Sequence, residues 1–114
     1  MKLDAARKYA LSLPETTEEP HFDMSSFRVR GKIICTVPPE GDRLHIYADP
    51  FEAAALVAEN PKAYEHILWG KRPRPEWLRV YLAHADAAQV KELLEDAWRA
   101  KAPKKLVTNY DTRS

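Results

Sequence analysis

The residues in this chain whose types could do chemistry are few, and their spacing is unhelpful to catalysis. His21-Phe22-Asp23 would put an imidazole and a carboxylate on one side of an extended segment, as two metal ligands could be. A metal centre needs three or four ligands with support behind them, and nothing nearby in sequence completes the set. Polar capping, where the chain enters its first strand, is the plainer role. Cys35 is the single cysteine, which excludes an internal disulfide and argues against a thiolate metal site. It shares the strand phase of Ile33 and Val37, so it reads as a small apolar core residue rather than a nucleophile, which would need an exposed electropositive setting. His45, His66 and His84 stand apart, and Glu15, Glu18 and Glu19 crowd one connection where carboxylates are normally just solvated. Three glycines leave no room for a phosphate-cradling loop. No catalytic residue, metal or cofactor is expected.

The elements that must position any site come next. At 114 residues, 45% hydrophobic and 31% charged, the chain has the size and composition of one globular domain spanning residues 1–114. A net charge of +1 gives no global attraction to nucleic acid, so an electrostatic site must come from local segregation. The first residues lack the apolar stretch of a signal peptide, and the longest apolar run, residues 53–58, is too short for a bilayer. The expectation is a cytoplasmic monomer with no membrane partner.

Leu3, Ala6, Ala10 and Leu13 recur at helical spacing, with Asp4 as a candidate cap and Pro14 as the stop. Residues 15–20 read as an acidic connection. From Met24 the period becomes two: residues 26–30 and 32–37 form a hairpin about Gly31. Residues 38–42 are turn chemistry, and residues 43–48 a third strand. Asp49-Pro50-Phe51-Glu52 opens a helix to about residue 59. Asn60-Pro61 restarts a short one through Tyr64 to about Leu68, with Trp69 closing the junction, and residues 70–75 read as an irregular loop. Residues 77–82 form the fourth strand. Asp86 to Gln89 starts a last helix, with Val90, Leu93, Leu94, Ala97 and Trp98 as its apolar stripe and Pro103 as its limit. Residues 104–114 are a basic then polar tail whose Leu106 and Val107 dock back.

The predicted fold class is α+β, an antiparallel sheet with helices on one face. Strand alternation assigns Phe27, Val29, Ile33, Cys35, Val37, Leu44, Ile46, Leu78, Val80 and Leu82 to the packed side. The other side receives Ser26, Arg28, Arg30, Lys32, Ile34, Thr36, Arg43, His45, Tyr47, Trp77, Arg79 and Tyr81. That second set holds five bases and three aromatics without an acid. A sheet with one wet face normally shows arginine, threonine and tyrosine outward. The absence of acids is what suggests more.

The succession of segments resembles a known family. It runs from Leu13-Pro14-Glu15 to Ser26-Phe27-Arg28-Val29 and Gly31-Lys32-Ile33, then Trp69-Gly70. It ends with Glu92-Leu93-Leu94-Glu95-Asp96-Ala97-Trp98-Arg99 and Ala102-Pro103-Lys104. Together these look like the MmcQ/YjbR family of small bacterial proteins. The resemblance implies a fold like that of CyaY/frataxin proteins and a "double-wing" DNA-binding role, with no catalytic residues to carry over. Iron handling of the frataxin kind uses an acidic first helix, and here that helix offers only Asp4.

The functional expectation is a non-catalytic DNA-binding protein. Arg28, Arg30, Lys32, Arg43 and Arg79 would meet phosphates, with Lys71, Arg72 and Arg74 at the rim. Tyr47, Trp77 and Tyr81 would stack or pack. The alternative is a protein-interaction or small anionic-ligand module using the same face without nucleic-acid affinity.

Overall fold

A computed structural model describes residues 1–112, the side chain of Trp69 excepted. The chain runs α1 (Leu3–Ser12), β1 (Thr16–His21), β2 (Met24–Val29), β3 (Lys32–Val37), β4 (Arg43–Tyr47), α2 (Pro50–Glu59), β5 (Tyr64–Trp69), β6 (Arg72–Tyr81), α3 (Ala87–Lys101) and α4 (Lys104–Asp111). All strand pairings are antiparallel in one six-stranded sheet of order β1-β2-β3-β4-β6-β5. β1 to β4 form a meander. The α2 crossover then lets β6 pair with β4, which leaves β5 as the far edge.

The helix starts follow from their caps. Asp49 accepts hydrogen bonds from the backbone N–H groups of Phe51 and Glu52, and Asp86 accepts from that of Gln89. Asp4 does not cap α1. It sits in the first turn, where a carboxylate suits the helix dipole, and accepts from Arg7 Nη1 at 3.1 Å. The core lies between one sheet face and the helices. Phe27, Val29, Cys35, Leu44, Ile46, Leu78 and Val80 are buried against Ala6 and Ala10 of α1, Ala53 of α2 and Val90, Leu93, Leu94, Ala97 and Trp98 of α3. Cys35 is fully enclosed, and burial pushes its thiol pKa up, consistent with an inert core residue.

Several elements differ from the sequence reading. Residues 16–21, expected as a connection, form edge strand β1. Residues 64–69, expected as the end of a short helix running from Asn60-Pro61 to about Leu68 and its junction at Trp69, form edge strand β5. The irregular loop around residues 70–75 is largely the start of a ten-residue β6, turned at Gly70 with φ +64°. The stretch read as a tail is mostly α4, and Leu106, Val107 and Tyr110 pack on the core. Residues 113–114 and the expected contact of the Trp69 side chain lie outside the described residues.

A bulge between Phe27 and Arg28 sets the phase of β3. Phe27 faces Cys35 while Arg28 faces Ile33, so Ile34 is left without a partner in this ladder. Ile34 is therefore buried on the helix side and Ile33 stands on the open face, the reverse of simple alternation.

Candidate ligand-binding cleft

The face away from the helices is concave. β1 and β5 are opposite edges of the sheet, yet residues from both ends line one hollow of about 380 Å³. His21 and Met24 come from the β1–β2 hairpin. Ile67, Leu68 and Arg74 come from the β5–β6 hairpin. Ile33, Thr36, His45, Trp77 and Arg79 make the floor and inner wall. The two hairpins thus rise as wings over the central strands. Their cover explains why Ser26 and Thr36, on the non-helix face, are buried.

The register shows how the second wing is redirected. His66 faces Leu78, but the next residue, Ile67, faces Arg74, so Pro75, Glu76 and Trp77 drop out of the β5 ladder. Trp77 still faces Tyr47 of β4, and the Glu76 carbonyl accepts from the Ala48 N–H at 2.9 Å. β6 therefore stays joined to the sheet on one side while its hairpin with β5 departs on the other. The first wing turns at Phe22, which has φ +57° and is 90% exposed.

Inside the cleft, His45 and Arg79 face each other across β4 and β6, and Arg79 Nε–H donates to His45 Nε2 at 3.1 Å. An imidazole that accepts from a guanidinium is neutral and carries its proton on Nδ1. Burial first, then the charges of Arg79 and Arg43, lower the His45 pKa to about 4, against a smaller opposing effect of Glu40. Arg79 Nη1 also donates to Glu65 on β5, and the Tyr81 hydroxyl donates to the same carboxylate at 3.2 Å. Arg74 pairs with Glu76 at 3.6 Å.

The remaining predicted site residues fall in different places. Arg28 lies on the open face, donating to Ser26 Oγ at 2.9 Å and the Pro20 carbonyl at 3.3 Å. Arg43 holds Asp42 and Glu40 and lies 5.1 Å from the Tyr81 ring centroid. Arg30 was expected in a strand on this face; instead it occupies the tight β2–β3 turn at φ +51°, bridges Glu15 and borders α4. Lys32 faces Val29, a fully buried helix-side position, at the exposed end of the hairpin. Tyr47 meets Trp77 edge-on at 5.7 Å, but Lys101 Nζ of α3 lies 3.9 Å from its centroid, and it lines a hollow with Leu93 and Ala100 on the helix side. Lys71 and Arg72 are exposed at the tip of the β5–β6 wing.

Nor is the open face free of acid. Glu19 shares it through its pairing with Ser26, and Glu65 through its pairing with Arg79. Both arrive on the edge strands. The expectation of a uniformly basic face is therefore corrected: Arg79 and Arg43 hold carboxylate partners, and Arg30 and Lys32 stand elsewhere. The cleft-lining residues that the sequence reading left out of its site are His21, Met24, Ile33, Thr36, His45, Ile67 and Leu68. His45 and Thr36 had a usable signal there, their outward phase between Leu44 and Ile46 and between Cys35 and Val37. Among the described residues no group of three or more His, Cys, Asp or Glu side chains is placed to hold a metal ion. No helix among them is long and apolar enough to cross a membrane.

An antiparallel sheet with helices on one side and a winged hollow on the other defines a small α+β domain built around its open face. The family model for YjbR matches residues 11–100, and the chain belongs to the YjbR family. Among solved structures it is similar to Deinococcus radiodurans protein DR2400, whose crystal structure carries a DUF419 domain. The TM-score is 0.75 at 21% identity, covering 91% of this chain and 80% of that one. That likeness shows the fold. No curated protein sequence matches the chain.

Proposed function

We propose that this protein binds, rather than transforms, a small anionic ligand in the cleft between its two hairpin wings. The observation that carries this reading is the make-up of the hollow. Two arginines and two histidines stand among Met24, Ile33, Ile67, Leu68 and Trp77, and no carboxylate is in the lining. A volume of about 380 Å³ lies at the small end of ligand sites, and apolar walls with a few convergent polar groups are their usual composition. The cysteine is sealed on the other side of the sheet, so the cleft offers no thiol nucleophile.

The test is a nuclear magnetic resonance screen of the full chain against small anionic, neutral and cationic compounds. Shifts from anions clustered at Thr36, His45, Trp77 and Arg79 are the expected result. A screen whose hits avoid these residues, or favour cations, removes the reading.

A second reading, contact with DNA, is favoured by one observation. Lys71 and Arg72 project from the second wing and have no carboxylate partner among the described residues. On this reading the wing tip meets phosphates through Lys71 and Arg72. The first wing carries Glu18, Glu19 and Asp23, so a duplex gripped symmetrically by both wings is disfavoured.

A further inference from the structure

The charge balance at the cleft narrows the class of anion. We infer that the cleft selects an organic monocarboxylate with a compact apolar body, the carboxylate seated on Arg79 beside the neutral His45 and the body lying between Trp77 and Ile67. This inference rests on the small-ligand reading above and adds the head-group chemistry to it.

Donor directions come first. Arg79 spends Nε–H on His45 and one Nη1–H on Glu65, while Nη2 makes no hydrogen bond among the described residues. The contact at Nε2 leaves the His45 proton on Nδ1, which likewise has no acceptor among those residues. Nδ1–H points away from the guanidinium, so the seat for an anion is Arg79 Nη2, where a carboxylate oxygen can accept while the neutral ring lies alongside.

Charge comes second. Arg79 is offset by Glu65, Arg74 is offset by Glu76, and His45 is neutral. The donors are plentiful but the net positive charge beside them is small. A monoanion is served by oriented donors with little net charge. A phosphate dianion would bring a second negative charge close to Glu65, while Arg28, which holds only neutral acceptors on this face, is not among the lining residues to meet it. Phosphate sites use the opposite arrangement, several unshared cations or a row of backbone N–H groups at a helix N-terminus. No helix begins at this cleft.

Shape comes third. Ile67 is placed here by the register shift that drops Trp77 out of the β5 ladder, so Ile67 lines the hollow from the wing and Trp77 from the inner wall. Met24 and Ile33 provide the opposite wall. This accounts for the specific use of apolar groups on a face that the alternation rule would leave wet.

A matched series with one body and three heads tests the inference: phenylacetate, phenyl phosphate and phenylacetamide, titrated at pH 7.5 and followed by chemical shifts of the full-length protein. Phenylacetate should bind at least several-fold tighter than either of the others, with the largest shifts at His45 and Arg79. Glu65→Gln should strengthen phenyl phosphate more than phenylacetate, narrowing the preference, because it removes the charge that opposes the dianion. Arg79→Gln should weaken phenylacetate about tenfold. Glu65→Gln keeps the experiment decisive if Arg79→Gln does not fold. If phenyl phosphate binds as well as phenylacetate or better, the carboxylate assignment is wrong while the ligand cleft stands. If none of the three shifts cleft residues, the cleft reading itself fails.

Discussion

Arg79 and His45 face one another across the β4–β6 ladder, and the guanidinium donates to the imidazole at 3.1 Å rather than repelling it. The pair works only while the ring is neutral. Protonating His45 would turn the acceptor into a donor and set a cation against Arg79 and Arg43.

The consequence is a titration with a definite sign. The folded pKa of His45 is lowered from 6.5 to about 4, so the unfolded chain binds the proton more readily. Its contribution to stability is complete above about pH 6.5 and is lost as pH falls toward 4. Because the ring is only partly enclosed, the loss is about 1–2 kcal/mol, less than the full shift implies. Urea midpoints between pH 7.5 and 4.5 measure it, and His45→Gln should flatten that interval. An unchanged slope in the variant would assign the pH dependence to other groups.

Trp98 ties α3 to the exit of α1. It is fully buried, and its indole N–H donates to the Pro14 carbonyl at 2.9 Å. Trp98→Phe leaves that carbonyl without its donor and a void beside it, at a cost of about 2–3 kcal/mol. The urea midpoint should fall with the slope of the transition unchanged. Little change would mean that the α1–α3 contact closes around the smaller ring.

The β2–β3 turn needs a left-handed residue at its second position. Gly31 has φ +81°, and a Cβ there would meet nothing within 4 Å. The cost of Gly31→Ala is therefore backbone strain alone, roughly 1–2 kcal/mol. Gly31→Asn should cost less, because asparagine tolerates this region better. Chemical denaturation of the two variants orders them, and equal costs would locate the penalty in packing instead.

DNA binding, if it occurs through the second wing, should have a shallow salt dependence. Lys71 and Arg72 are two phosphate contacts, which corresponds to a log–log slope on the order of −2 on duplex DNA. Fluorescence anisotropy at several salt concentrations reads it. A slope near −5 would require the arginines now held by Glu65, Glu15 and Asp42 to release their partners. Loss of binding in Lys71→Glu/Arg72→Glu is the expected control.

The helices and the inner strands were legible in the sequence because their patterns are enforced by burial. Asp49-Pro50 and Asp86 cap helices that formed where their spacing placed them, and Phe27, Val29, Leu44, Ile46, Leu78 and Val80 alternate because one side of each strand must leave water. Ile33 and Ile34 show the limit. Both are apolar, so only the partner strand could decide which one the bulge turns inward.

The open face was misread for a related reason. β1, with sequence TTEEPH, buries no residue fully and so shows no apolar alternation. In β5, Tyr64, Ile67 and Leu68 mimic helical spacing over six residues. Edge strands take their structure from a ladder on one side, which imposes little periodicity on their own residues. Missing them also meant missing Glu19 and Glu65, the acids they bring to the face, and the wings that make it concave. The sequence by itself determined the domain class and most of the core, since hydrophobic periodicity and capping are local, and its succession of segments resembled the family to which the chain belongs. The cleft, its paired arginines and its neutral histidine were decided by tertiary structure alone, because register and hairpin direction depend on contacts between segments far apart in the chain.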